Sequence, residues 1–591
     1  MAVFTVLNGT GINGAGVQFG SIASTIAPSG IAGNPSMSGT SGFVNFVGGG
    51  QLKVTGTGLS FNPPFNLAGT VDSMTYEKSA VDIFSVTGMS MPVATLATLF
   101  FGGDENTVLG AIFAGADQIS GSTMADTLEG YDSNDTVNGG DGLDNLDGGN
   151  GNDLLIGGTG GDTINGGAGV DAAVYSTSLL AVVANLGLGL GLAGDALGDT
   201  FTSIENLGGS TLADALTGDA GANALNGGGG NDLLVGADGN DALYGGNGDD
   251  IGSGGAGADS ASGGAGADTI SGEDGNDALN GGADADSIDG GAGIDTADYN
   301  GSGVGVTVNL ETNVNTGGYA EGDSLSNIEN VQGSGFDDNL TGNAVNNSLS
   351  GLAGNDVLNG GAGWDTLDGG AGDDVLNGGS EGDILRGGAG ADQLNGGDGT
   401  DTASYFQSAE GVTINLDTNV NTGGAAEGDT IADDVEIING STHDDAMTGD
   451  ALSNELSGFD GNDVLDGAGG NDSVRGGVGA DTLTGGAGGD YFSFTSAFDS
   501  TVSSTDTIQD YQKGVDLISL RLIDADANSG NGDTAFIFLG TGAFTGAAGQ
   551  LRYESAEGMT VVQADVNGDS TADIVINLTG TDTLAASNFL L

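Results

Sequence analysis

The sequence predicts an all-β fold, most of it a parallel solenoid in four arrays with strand units interleaved. Three observations predict this. An aspartate recurs every nine residues, an apolar residue follows it by two places, and a glycine-rich turn precedes it. Low-complexity disorder does not hold such a register, whereas stacked repeats do.

The first array runs Asp117, Asp126, Asp135, Asp144, Asp153, Asp162 and Asp171, with apolar companions Ile119, Leu128, Val137, Leu146, Leu155 and Ile164. The second runs Asp214, Asn223, Asp232, Asp241, Asp250, Asp259, Asp268, Asp277, Asp286 and Asp295. The third holds Asp338, Asn347, Asp356, Asp365, Asp374, Asp383, Asp392 and Asp401, and the fourth Asp445, Asn454, Asp463, Asp472, Asp481 and Asp490. Gly252 takes an apolar place, and Ala261 and Ala297 are small there. Asn223, Asn347 and Asn454 fall near array starts, where weak or missing ligand sites are expected.

The unit reads G-G-x-G-x-D-x-U-x, with U apolar. Its glycines permit the left-handed angles of a tight turn, and three residues of strand follow. Two units complete one coil, so turns two units apart stack on one side. Asp153 therefore faces the turns of Asp135 and Asp171, not that of Asp162. Carboxylate and carbonyl oxygens then line the gap between stacked turns, and oxygen-only donor sets suit Ca²⁺. One apolar side chain per unit buries too little to offset the entropy of ordering the chain. The aspartates also repel one another, so folding is expected to require the cation.

Composition agrees. The chain has 591 residues, with 7 Lys+Arg against 82 Asp+Glu and a formal net charge of −75. No basic stripe exists to neutralise nucleic-acid phosphates or to hold an anionic membrane. Cysteine is absent, which excludes disulfides and thiolate metal sites. No apolar run is long enough for a transmembrane helix. The start carries no basic region before Lys53, so a cleaved Sec-type signal is not expected.

The arrays resemble the RTX (repeats-in-toxin) calcium-binding family. The resemblance covers roughly residues 117–490 and implies a parallel β-roll with many Ca²⁺ sites at the register aspartates. A second resemblance lies in "DYFSFTSAFDST", "DTIQDYQKGVDLISL" and "ADVNGDSTADIVINLTG". These look like the C-terminal domain of serralysin-type metalloproteases. That likeness implies a partner, the type I secretion machinery of a Gram-negative cell, and an uncleaved signal with Phe589, Leu590 and Leu591 as its apolar tail. "DVNGDSTAD" offers Asp565, Asn567, Asp569 and Asp573 at EF-hand-like offsets, without Gly at position six or Glu at position twelve. A further Ca²⁺ site and a plain Asx-rich hairpin both fit it.

The segments divide the chain as follows. Residues 1–113 form a non-repetitive N-terminal α+β domain, with strands within 43–61 and 81–91 and helices at 92–100 and 104–113, the second capped by Asp104. Arrays occupy 114–175, 214–297, 338–403 and 445–490. Inter-array units at 176–213, 298–337 and 404–444 align on Tyr175, Tyr299 and Tyr405 and supply extra strands. Residues 491–591 form a β-rich domain that carries the export signal.

Catalysis finds little support. The single histidine, His443, rules out an H-E-x-x-H zinc site. "GGSEG" around Ser380 matches G-x-S-x-G but lies in register within a repeat turn, not on a strand-to-helix elbow. Trp364 stands in a turn position. The reading is therefore a secreted, calcium-dependent structural protein, not an enzyme. It would fold outside the cell, where Ca²⁺ approaches the ~10⁻⁴–10⁻³ M that extracellular modules need. A rigid roll with non-repetitive ends suits self-association in a surface layer or matrix, with residues 1–113 as anchor. Two alternatives stand beside it: an adhesin that recognises a cell-surface glycan, and an enzyme with its site in residues 1–113.

Overall fold

The computed structural model describes residues 115–121, 123–526, 534–580 and 583–591, together with six strands before residue 93. The chain divides into two compact units, Met1–Asp295 and Thr296–Leu591.

Within the arrays the coil is the two-unit turn that the register predicts. Strand Leu154–Gly160 pairs in parallel with Thr136–Gly142, one coil before it. Strand Thr163–Ala168 pairs with Asn145–Asn150 on the opposite side. Two parallel sheets thus face each other, and the apolar residue of every repeat points between them. Val137, Leu155 and Ala173 form one buried column, and Leu128, Leu146 and Ile164 the other. The core is two side chains wide, so the turns at its edges must contribute stability that packing cannot. Gly252 sits in register between Leu234 and Ile270, leaving a gap in its column.

The inter-array units supply the expected strands. In the first, Val183–Asn185 runs antiparallel to Leu190–Ala193, and Thr200–Thr202 resumes parallel pairing with Thr163–Ala168. In the other two, the antiparallel partner shrinks to single bridges, Thr307 to Thr316 and Thr413 to Thr422. The coil does not stop at Asp490. Strands Tyr491–Ser493 and Asp506–Ile508 extend the two sheets, and a three-stranded antiparallel meander follows, Gln550–Ala556, Met559–Asp565 and Ile574–Thr579. Strand Phe589–Leu590 pairs in parallel with Leu517–Ser519.

The N-terminal strands Gly39–Asn45, Gly50–Asn62, Thr70–Lys78 and Val81–Pro92 pair antiparallel in that order. The expected helices at 92–100 and 104–113, with Asp104, lie outside the described residues apart from Pro92, which ends a strand.

Candidate metal sites

Within each array the register aspartates hold the turn one coil before them. The Asp135 N–H donates to Asp153 Oδ1 at 2.7 Å, and the Asp153 N–H donates to Asp171 Oδ1 at 2.7 Å. The same bond repeats from Asp117 to Asp135, Asp126 to Asp144 and Asp144 to Asp162. It continues through Asp232, Asp241, Asp250, Asp259, Asp268 and Asp277, which donate to Asp250, Asp259, Asp268, Asp277, Asp286 and Asp295. In the third array Asp356, Asp365, Asp374 and Asp383 donate to Asp374, Asp383, Asp392 and Asp401. In the fourth, Asp463 and Asp472 donate to Asp481 and Asp490. Asp153 is bonded to the turns of Asp135 and Asp171, as the register requires.

The second carboxylate oxygen behaves differently. Oδ2 of Asp135, Asp144, Asp153, Asp162 and Asp171 is buried with no hydrogen-bond partner. So is Oδ2 of Asp232 and Asp241, of Asp356 and Asp365, and of Asp463 and Asp472. A Cβ built on Gly148 would run into both Asp153 Oδ2 and the Gly166 carbonyl oxygen. Two oxygens of neighbouring turns therefore border one point, which the missing side chain leaves clear. The geometry repeats at Gly139 with Asp144 and Gly157, and at Gly360 with Asp365 and Gly378.

An orphaned buried carboxylate costs free energy unless something compensates it. Burial pushes the Asp463 carboxyl up to about 8, and neighbouring Asp481 and Asp445 add to the rise against the Asp445 N–H, which lowers it. Burial likewise raises Asp135, Asp232, Asp356, Asp383 and Asp392 to about 7. These are hard oxygen donors with unmet demand for positive charge, which fits Ca²⁺. Among the described residues no three His, Cys, Asp or Glu side chains gather in one metal cluster. A cage here would consist of backbone carbonyls with the aspartates of stacked turns.

One backbone angle separates these open cradles from closed ones. At every register position from Asp135 to Asp171, the residue four places earlier has positive φ: Tyr131, Gly140, Gly149, Gly158 and Gly167. The same holds for Asp232 to Asp295, Asp356 to Asp401 and Asp463 to Asp490, even where that residue is Ala237, Glu273, Leu352, Phe459 or Ala468. Left-handed angles at such residues carry strain.

The two positions that open each later array lack this angle. Asp214 Oδ2 accepts the Ser210 N–H at 2.5 Å, and its Oδ1 accepts the Ser210 hydroxyl and the Val182 N–H. Asp338 repeats this with Ser334 and Val306, and Asp445 with Ser441 and Val412. Asn223 accepts from Asp219 N–H at 2.7 Å and donates Nδ2–H to the Glu205 carbonyl. Asn347 does the same with Asn343 and Glu329, and Asn454 accepts the Asp450 N–H. These six cradles are filled by the chain's own donors. The three asparagines are the weak positions that the sequence predicts; the three aspartates keep the register that predicts a ligand, and the structure corrects that expectation because their oxygens are already bonded. The legible signal is a serine four places earlier, Ser210, Ser334 or Ser441, where the open cradles carry glycine, Tyr131, Ala237, Glu273, Leu352, Phe459 or Ala468.

Array ends close in another way. The Asp162 N–H donates to Asp199 Oδ1 at 2.7 Å, and Asp199 Oδ2 accepts the buried Tyr175 hydroxyl. Tyr405 and Asp429 repeat this after Asp392, and Tyr299 donates to Asp323. On the other side Asp171 and Asp401 donate to Glu205 and Glu436. Sequence reasoning missed these residues because they break the nine-residue period, although Asp199, Asp323 and Asp429 stand equally far after the three aligned tyrosines. Asp506 and Asp516 were missed too. They accept the N–H groups of Asp481 and Asp490, and burial raises the Asp506 carboxyl to about 9.

In the C-terminal loop, Asp565 accepts the N–H groups of Gly568 and Ser570, and Asp573 accepts those of Val566 and Asn567. Asn567 accepts the Asp569 N–H, and Asp569 accepts the hydroxyl and N–H of Thr571. This is the bonding of an Asx-rich hairpin. Ser380 bonds the Glu381 carboxylate, His443 lies in the closed turn before Asp445, and Trp364 is exposed.

Comparison with known proteins agrees with this geometry. A family model described as "Peptidase M10 serralysin C terminal" matches residues 206–591, and one for the RTX calcium-binding nonapeptide repeat matches 113–146 and 139–172. The chain belongs to the serralysin C-terminal family and carries RTX repeats, which bind Ca²⁺. It is a calcium-binding repeat protein of the kind secreted by the type I system of Gram-negative bacteria. No helix among the described residues is long and apolar enough to cross a membrane. Similar solved structures include two subunits of an Azotobacter vinelandii mannuronan C5-epimerase. AlgE6R3 is 27% identical, with TM-score 0.20 over 25% of this chain and 77% of that one. AlgE6R2 is 29% identical, with TM-score 0.20 over 26% and 91%. The extracellular lipase LipA of Serratia marcescens is 17% identical, with TM-score 0.18 over 44% and 40%.

Proposed function

We propose that this chain is a secreted structural protein whose arrays fold outside the cell as Ca²⁺ enters the open cradles, and which then assembles at the cell surface. The observation that carries the reading is the coincidence of an orphaned buried Oδ2 with positive φ four residues earlier, at the register aspartates of 135–171, 232–277, 356–401 and 463–490. Strained backbone is retained where it keeps a cradle open. The ligands are the aspartates of the open cradles. Asp214, Asp338, Asp445, the three register asparagines and the loop from Asp565 to Asp573 take no part, because their oxygens are already bonded.

The role is structural rather than catalytic. Ser380 and His443 sit in repeat turns, each engaged by neighbours of its own turn. Assembly is tested by electron microscopy of purified protein with and without Ca²⁺. Ordered sheets or filaments that form on adding Ca²⁺ and dissolve in chelator are expected. Dispersed single particles in millimolar Ca²⁺ would overturn the assembly role.

A further inference from the structure

Asparagine followed by glycine is a pair at which a polypeptide can modify itself, because glycine has no side chain to shield its nitrogen. Among the described residues twelve such pairs occur. The glycine nitrogen attacks the side-chain carbonyl carbon of the asparagine, and the ring closes only after the asparagine backbone turns away from its extended angle. Ten of the twelve asparagines lie in strands, where ladder hydrogen bonds hold that angle. Just past two strand ends, Gly151 and Gly248 still donate their N–H groups to the Ala168 and Ala265 carbonyls at 2.8 and 2.7 Å. The side-chain amides of Asn377 and Asn395 are also bonded to each other at 2.9 Å.

Two pairs lie outside strands. Asn567 is locked in place: its Oδ1 accepts the Asp569 N–H, its Nδ2–H donates to Asp573, and the Gly568 N–H donates to Asp565. Asn300 has no such restraint. Asn300 and Gly301 are both exposed and form the middle of a turn that a single backbone bond closes, from the Ser302 N–H to the Tyr299 carbonyl at 2.9 Å. The Asn300 N–H donates to Asp298 Oδ1 at 2.8 Å, but no hydrogen bond engages the Asn300 side-chain amide or the Gly301 N–H. The turn does not require this pair. Ser176–Thr177 and Phe406–Gln407 fill the matching turns, closed by the N–H groups of Ser178 and Ser408 on the Tyr175 and Tyr405 carbonyls.

We propose that Asn300 is the site at which the folded chain modifies itself. The Gly301 nitrogen bonds to Asn300 Cγ, the Cγ–Nδ2 bond breaks, and the Gly301 amide proton leaves with Nδ2 as ammonia. Water then opens the ring at either of its carbonyls, giving aspartate or isoaspartate at 300. Either product places a new carboxylate two residues from Asp298. Isoaspartate also adds a methylene to the backbone directly after Tyr299, the buried phenol that donates to Asp323 at 3.0 Å. The modification therefore falls beside the closure that ends the second array.

The test is prolonged incubation of the full chain at mildly alkaline pH, folded in Ca²⁺ as judged by circular dichroism, and in parallel in concentrated urea. Peptide mapping by mass spectrometry then locates each conversion of amide to acid, and an isoaspartyl methyltransferase reports the isoaspartate. In the folded chain the product at Asn300 should accumulate at least about tenfold faster than at Asn377, Asn395 or Asn567, since those sites must first break hydrogen bonds. In urea the pairs should react at comparable rates. Folded protein in which Asn300 reacts no faster than Asn377 overturns the proposal. A lead for Asn300 that persists undiminished in urea also overturns it, because the local sequence and not the open turn would then select the site.

Discussion

Asp153 serves two neighbours at once. Its Oδ1 takes the Asp135 N–H, and its Oδ2 is left facing the Gly166 carbonyl across the space over Gly148. Because that space is defined by an absent side chain, Gly148→Ala should fill it. The variant should bind one Ca²⁺ fewer by isothermal titration calorimetry; an unchanged count would contradict the cradle assignment. The raised carboxyls give a pH dependence whose sign depends on the metal. In chelator, Asp135 and Asp463 titrate near 7 and 8 when folded, but close to 3.8 when unfolded. The folded state then binds more protons, so stability of the metal-free roll is present below about pH 4 and is lost as pH rises through about 7–8. With chelator, β-structure by circular dichroism should be greater at pH 5 than at pH 8. With subsaturating Ca²⁺ the order should reverse, since protons compete for the same oxygens.

At the scale of elements, each array after the first opens with two closed cradles, and the arrays ending at Asp171 and Asp401 close on Glu205 and Glu436. Stacked repeats need ends that do not demand another neighbour, and hydrogen bonds from Ser210, Asn223 and Tyr175 meet that need without a cation. The switch between open and closed is the φ of one residue. The double variant Asp219→Gly/Asn223→Asp should therefore gain one Ca²⁺ per chain, counted by equilibrium dialysis, whereas Asn223→Asp alone should gain none. The nine-residue period made the coil, the stacking partners and the buried columns legible, because period fixes which residues face inward. It could not separate Asp214 from Asp232. That difference lies in the backbone angle at Ser210 and at Gly228, four residues before each. Asp199 and Glu205 stayed hidden because an inserted hairpin shifts them out of period while returning them to the same stack.

For the whole molecule, the charge of −75 and the two-residue-wide core act together. Folding brings the aspartates into register, and in the function proposed above Ca²⁺ offsets their repulsion. On that proposal the chain stays unfolded where Ca²⁺ is scarce and folds where it is abundant, which suits export by the type I route of its family. The most direct test is far-ultraviolet circular dichroism at pH 8 and fixed ionic strength, first in chelator and then on titration with Ca²⁺ or Mg²⁺. A largely unfolded chain in chelator and a cooperative gain of β-structure at millimolar Ca²⁺ are expected. Mg²⁺ should be far less effective, since its small octahedral shell suits carbonyl cages poorly. Equal β-structure in chelator and in Ca²⁺ would contradict it.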